Sequence, residues 1–186
     1  MIYRDTTIGD VKIIEPKVFG DERGFFMETF RANEFAQHCT GKDGVCEFVQ
    51  ENHSLSSRGI LRGLHYQIRQ PQGKLVRVTR GRVYDVAVDM RRSSATFGRW
   101  VGVELSAENK LQLWVPEGFA HGFYVMSEVA EFVYKCTDYY APEHERSLRW
   151  DDPSVAVDWP LLHGELPRLS EKDAAGASWS NAEFFD

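Results

Sequence analysis

At 186 residues, 42% of them hydrophobic, the chain has the length and apolar content of one ordinary domain with its own core. A net charge of −6 and a pI near 5.5 exclude bulk attraction to nucleic acid or to an anionic membrane surface. Cys39, Cys46 and Cys136 make no even disulfide framework, the opening residues carry no apolar signal core, and no stretch approaches membrane-spanning length, so the sequence predicts a cytoplasmic protein.

Strand signals dominate the chain. Residues 11–14 are a short β-rich run closed by Pro16, and 24–30 alternate Phe26, Glu28 and Phe30 on one face with Phe25, Met27 and Thr29 on the other. Residues 31–38 are the best helical candidate before a break at 41–44. Residues 48–53 place Gln50 and Asn52 on one face. Further strands are predicted at 61–68, 75–79 and 83–90, with a turn at Gly81. Strands at 99–105 and 111–115 flank a polar turn and read as a hairpin, and 121–126 and 131–137 complete the series. Prolines 142, 153, 160 and 167 interrupt the C-terminal part, where Ser170 to Asp173 resembles a capping box opening a short helix. Many short strands with turns between them predict an antiparallel sandwich or jelly roll, in one domain spanning 1–186.

Period-two spacing puts Phe26 with Glu28, Gln50 with Asn52, and His65 with Gln67 on shared faces, opposite an apolar face of Leu64, Tyr66 and Ile68. One reading is an antiparallel sheet with one wet side. The other is a set of polar faces lining the mouth of a barrel, where a ligand supplies the missing hydrogen-bond partners. The abundance of aromatics, and His121 set among glycines in PEGFAHG (116–122), favour the second.

A metal site on such a fold uses two histidines at i and i+2, a carboxylate shortly after, and a later histidine. Here Gln67 stands where the second histidine belongs and Lys74 where the carboxylate belongs, so the segment is a poor cation site. His38, Cys39, Cys46 and His53 match no standard zinc spacing. A histidine without a second at i+2, facing a polar cavity, reads instead as a proton-transfer group.

Five segments, DERGFF (21–26), QENHS (50–54), GILRGLHYQ (59–67), PEGFAHG (116–122) and YKCTDYY (134–140), closely resemble the dTDP-4-dehydrorhamnose 3,5-epimerase family, in the same order and over nearly the whole chain. The resemblance implies an all-β, cupin-like antiparallel jelly roll with short helices near the N-terminal third and the C-terminus. It implies a homodimer with neither metal nor organic cofactor, acting on a dTDP-linked 4-keto-6-deoxyhexose, with no nucleic-acid or membrane partner. The reaction implied is epimerisation at C3 and C5 of dTDP-4-dehydro-6-deoxy-D-glucose to dTDP-4-dehydro-L-rhamnose. The alternative is a relative that inverts only C3 or only C5 in another deoxysugar pathway.

Carried over residue by residue, the resemblance makes His65 the base, Asp173 the carboxylate that orients it, Lys74 the cation near the enolate oxygen, and Tyr134 the acid on the opposite side of the ring. Arg23, Phe26, Glu28, Gln50, Asn52, Arg62, His121, Glu145 and Lys172 fall at substrate or nucleotide positions.

The chemistry wants these residue types. Both hydrogens flank the C4 ketone, so loss of either gives an enolate whose growing charge a fixed ammonium stabilises. Inversion needs proton donors and acceptors on opposite faces, and a phenol is protonated at neutral pH. Two points stay open in the sequence. Asp85, on the face of Val83 and Ala87, is a second candidate partner for His65, and Asp173 also has a rival role as helix cap. Arg62 and His65 are an odd number of residues apart, so either a bulge at Gly63 turns both inward or Arg62 serves a neighbouring subunit's site.

Overall fold

The computed structural model describes residues 1–40 and 46–186; the break expected at 41–44 lies outside the described residues. In chain order the elements are β1 (Ile2–Asp5), β2 (Lys12–Glu15), β3 (Val18–Asp21), β4 (Gly24–Met27), α1 (Ala32–Phe35), β5 (Gln50–Ser57), β6 (Leu61–Gln67) and β7 (Lys74–Arg80). They continue with β8 (Arg82–Asp89), β9 (Trp100–Ser106), β10 (Gln112–Val115), β11 (Phe119–Val125), β12 (Val129–Cys136), β13 (Glu145–Ser147) and α2 (Glu171–Ala174). The predicted helix at 31–38 is α1 running into a π-helical turn, Ala36–Thr40. None of the helices among the described residues is long and apolar enough to cross a membrane.

Two antiparallel sheets face each other, a six-stranded one in the order β1-β2-β10-β7-β12-β5 and a five-stranded one in the order β13-β6-β11-β8-β9. This is the cupin-like jelly roll. Alternation along each strand decides what lies between the layers. Val76 and Val78 of β7, Leu113 and Val115 of β10, and Phe132 of β12 meet Ala87 of β8, Leu105 of β9 and Phe123 of β11 in one buried cluster. The opposite face of the five-stranded sheet is apolar too, through Leu64, Val86, Val88 and Tyr124. The proline-broken C-terminal segment covers it with Val155 and Trp159, whose indole N–H donates to the Trp150 carbonyl at 2.9 Å. That explains why β8 and β11 read as almost continuous apolar runs.

The hairpin expected across the polar turn at 106–110 does not form. β9 belongs to the five-stranded sheet and β10 to the six-stranded one, so the turn carries the chain from one layer to the other. Asn109 shapes it: its Oδ1 accepts from the N–H of Ser106 and of Leu111, both at 3.0 Å. Turn chemistry signals a reversal without saying which layer receives the next strand. Here Leu105 and Leu113 enter the same buried cluster from opposite sheets rather than lying side by side in one.

Strands β3 and β4 pair only with each other. Their aromatics are exposed, Phe19 at 54%, Phe25 at 62% and Phe26 at 69%.

Candidate active site

At one end of the sandwich the inward positions turn polar. β5 supplies Gln50, Asn52 and Ser54, β7 supplies Lys74 and β12 supplies Tyr134, while β6 and β11 of the facing sheet supply His65 and His121. Two adjoining cavities, of about 270 and 300 Å³, share His65, Lys74, Tyr134, Tyr140 and Glu145. The larger of the two is also lined by Phe123 and Phe132, whose rings stack at 4.2 Å between centroids. The second reading of the polar faces, a lined cavity rather than a wet surface, is the one the fold adopts for β5 and β6.

A bulge sets the aim of β6. His121 pairs with His65 but Phe123 pairs with Arg62, so β6 spends one extra residue over that interval. The irregularity falls at Gly63, whose φ of 122° a side chain rarely tolerates, and a Cβ there would lie 2.6 Å from the Gly122 Cα. Arg62 and His65 therefore face the same cavity despite their odd spacing, and Arg62 Nε donates to Ser56 Oγ at 2.9 Å. Gln67 is buried and structural: its amide donates to the carbonyls of Gln70 and Tyr139, and its Oε1 accepts from the Ala141 N–H.

His65 and Asp173 meet at 2.6 Å, from Nε2 to Oδ1. The ring keeps 27% of its side-chain surface exposed, whereas the carboxylate keeps 6%. Asp173 sits in α2, where Ser170 caps the helix by accepting the Asp173 N–H. Its two oxygens divide the work: Oδ1 also accepts the Gly63 N–H at 3.2 Å, and Oδ2 accepts the Ser170 hydroxyl at 2.6 Å. The cap is therefore the Ser170 hydroxyl, and the Asp173 carboxylate serves His65, Gly63 and that hydroxyl. Burial opposes the charge of Asp173, but the bonds from His65 and Ser170 prevail and hold its pKa at about 2. Asp85 partners His121 instead, at 2.9 Å.

Lys74 stands on the opposite sheet. Burial lowers its pKa, while Cys136, Glu145 and Asp85 act to keep it protonated. Burial also raises the Tyr134 phenol, so it stays protonated through neutral pH. Glu145 accepts the Tyr140 hydroxyl at 2.7 Å and forms an ion pair with Lys172. Burial works against that carboxylate, yet Lys172 and Tyr140 bring its pKa below the usual range.

The cavity thus gathers His65, Asp173, Lys74, Tyr134, Gln50, Asn52, Arg62, His121, Glu145 and Lys172. It does not gather Arg23, Phe26 or Glu28. Arg23 and Phe26 belong to the exposed β3–β4 ribbon, where Arg23 pairs with Asp21, and Glu28 beyond it pairs with Arg31. Alternation assigned Phe26 and Glu28 a common face and the resemblance added Arg23, but a ribbon that joins neither sheet keeps all three out of the sandwich interior. The sequence reading assigned no substrate role to Tyr140, Ser54 or Gln72, the last weighed only as a metal ligand, and all three also line the cavities. Tyr140 lay within a quoted motif, but it follows the end of β12, beyond the reach of alternation.

A histidine–carboxylate pair and a phenol in one jelly-roll cavity, with a lysine beside them, equip the site for acid–base chemistry, and the family that the chain matches makes the class an isomerase. The family model described as dTDP-4-dehydrorhamnose 3,5-epimerase matches residues 5–181. The dTDP-4-dehydrorhamnose 3,5-epimerase of Pseudomonas aeruginosa is 59% identical, with 96% of each chain covered. That of Neisseria gonorrhoeae is 58% identical over 96% of this chain, which spans about half (53%) of its length. The crystal structure of the Legionella pneumophila dTDP-6-deoxy-D-glucose-3,5-epimerase, in complex with dTDP-4-keto-L-rhamnose, is 58% identical. It superposes with a TM-score of 0.89 over 94% of this chain and 90% of that one. The chain belongs to the dTDP-4-dehydrorhamnose 3,5-epimerase family.

Proposed function

We propose that residues 1–186 form one catalytic domain that inverts C3 and C5 of dTDP-4-dehydro-6-deoxy-D-glucose, giving dTDP-4-dehydro-L-rhamnose. The observation that carries the mechanism is the 2.6 Å contact of His65 with Asp173 in a cavity that also holds Tyr134 and Lys74. With the Nε2 hydrogen directed at the carboxylate, Nδ1 is the basic nitrogen of His65. It takes the proton from a carbon next to the C4 ketone. The Lys74 ammonium stabilises the enolate oxygen, and the Tyr134 hydroxyl returns a proton from the other side of the ring; the imidazolium then gives its proton to solvent and the phenolate takes one up, which resets both groups for the second carbon. Asp173 stabilises the imidazolium formed in between. Arg62 binds the diphosphate, and Gln50, Asn52, His121, Glu145 and Lys172 hold the sugar and nucleotide.

The working unit is a cytoplasmic homodimer. Exposed Phe19, Phe25 and Phe26 on a ribbon outside both sheets support a partner surface. In the dimer the ribbon brings Arg23 and Phe26, with Glu28 just beyond it, to the partner's nucleotide site. Sedimentation should show a dimer whose dissociation constant rises for Phe26→Asp. An odd set of three cysteines suits a reducing compartment.

The test of the reaction is incubation with the 4-keto sugar nucleotide in deuterium oxide, followed by NMR. Deuterium at both carbons with formation of the L-rhamno product is expected. Label at one carbon only would reassign the chain to single-site epimerisation, and label at neither would overturn the proposal.

A further inference from the structure

His121 and Asp85 form a second histidine–carboxylate pair against the same cavity, and the mechanism above leaves its carboxylate without a task. Nε2 of His121 lies 2.9 Å from Oδ1 of Asp85, between the adjacent strands β11 and β8. The Asp85 side chain is 0% exposed and that of His121 is 8% exposed. The second carboxylate oxygen, Oδ2, is buried with no hydrogen-bond partner among the described residues. A carboxylate placed this way opposes folding, and a buried polar oxygen left unpaired in a native chain asks for an explanation. Burial pushes the Asp85 carboxyl up, while His121 and Lys74 pull it back towards the charged form.

We infer that Asp85 is a positioning residue that fixes His121 with its hydrogen on Nε2 and serves as the buried counter-charge of the Lys74 ammonium. This rests on the proposed mechanism, in which Lys74 faces the ketone oxygen. With Nε2–H committed to Asp85, a neutral His121 presents Nδ1 as an acceptor for a sugar hydroxyl. No proton moves onto Asp85 during turnover; its effect is exerted through the two groups it holds. The pairing of roles follows from placement, since His121 and Lys74 line the same cavity from opposite sheets and Asp85 lies behind the first with one oxygen unspent.

The experiment combines Asp85→Asn with nitrogen NMR of the histidine rings. In the wild type, His121 should carry its hydrogen on Nε2; finding it on Nδ1 overturns the assignment without any variant, including where D85N fails to fold. In folded D85N, kcat should fall roughly ten- to hundredfold through Lys74, and KM should rise because His121 no longer holds its acceptor nitrogen towards the sugar hydroxyl. The alkaline limb of the kcat–pH profile should also move to lower pH, because Lys74 loses a counter-charge. The other groups acting on Lys74, Cys136 on β12, Glu145 on β13 and Lys172 on α2, are untouched by the substitution, as are His65 and Tyr134 in the cavity. A D85N enzyme with wild-type kcat, or with an unshifted alkaline limb, overturns the inference. Turnover by the wild type with an unshifted D85N profile defeats only the Asp85 assignment, whereas a wild type that exchanges at neither carbon defeats the parent mechanism as well.

Discussion

His65 and Asp173 are 108 residues apart in the chain and 2.6 Å apart in space, joined because α2 packs under the bulged strand β6. The same carboxylate oxygen accepts the Gly63 N–H, so the bulge that aims His65 also anchors its partner. His65→Asn keeps a side chain of similar reach but removes the basic nitrogen. Deuterium exchange at C3 and at C5 should both fall by about a hundredfold or more, measured by NMR in deuterium oxide. Persistent exchange at either carbon would show that a second base works in the site.

Asp173→Asn separates orientation from charge. The amide can still accept from His65, but it cannot stabilise an imidazolium, so kcat should drop at least tenfold while the fold survives. Stability should respond to acid in a defined direction. The folded pKa of Asp173, at about 2, lies below its ordinary value of 3.8, so its contribution is fully present above the unfolded value and is lost as pH falls through the folded one. That contribution is on the order of 2 kcal/mol. Urea midpoints of wild type and variant should differ at neutral pH and converge between about pH 4 and pH 2. A constant difference across that window would assign the loss to packing rather than charge.

How far the site could be read from residues alone depended on whether a side chain sat on a regular strand. Gln50, Asn52 and His65 followed from alternation, because a two-residue period holds as long as the ladder is unbroken, whereas Tyr134 came only with the family resemblance. Arg62 did not, since one extra residue at Gly63 reverses the face of everything before it, and only the pairing with β11 reveals it. The choice between Asp85 and Asp173 was equally hidden. Both are carboxylates near histidines, and which meets which depends on β8 lying beside β11 while α2 reaches β6. An antiparallel sandwich or jelly roll was legible from strand number and spacing, and the family resemblance chose the jelly roll. The layer assignment of β9 and β10 was not, because burial of an apolar face is satisfied equally well beside a neighbour or across a core.

Lys74→Met should trade activity for stability. Burial lowers the pKa of Lys74, so the folded state binds fewer protons at this position than the unfolded chain does. The ammonium therefore weakens the fold below its folded pKa, and the penalty is relieved as pH rises through that value towards 10.5. The methionine variant should be more stable than wild type at neutral pH, with the gap narrowing in alkali, as read by thermal melts across pH. Its kcat should fall by about a hundredfold or more, because the enolate loses its cation. An unaltered kcat would remove Lys74 from the reacting atoms.

Tyr134→Phe tests whether the second face of the sugar is served by this phenol. Burial holds the hydroxyl protonated well beyond neutrality, which suits a donor and unfits it as a base. The variant retains His65, Asp173 and Lys74, so the proton-abstracting half of the reaction is intact. Deuterium should still enter the substrate, now returned by the imidazolium to the face it left. Inversion should fall by at least tenfold more than exchange does. The ratio of exchange to inversion is therefore the decisive quantity, and it separates a lost acid from a disturbed pocket, which would depress both rates together. A variant that forms L-rhamno product at the wild-type rate would leave Tyr134 as a wall of the cavity, and the returning proton would have to come from another group or from water.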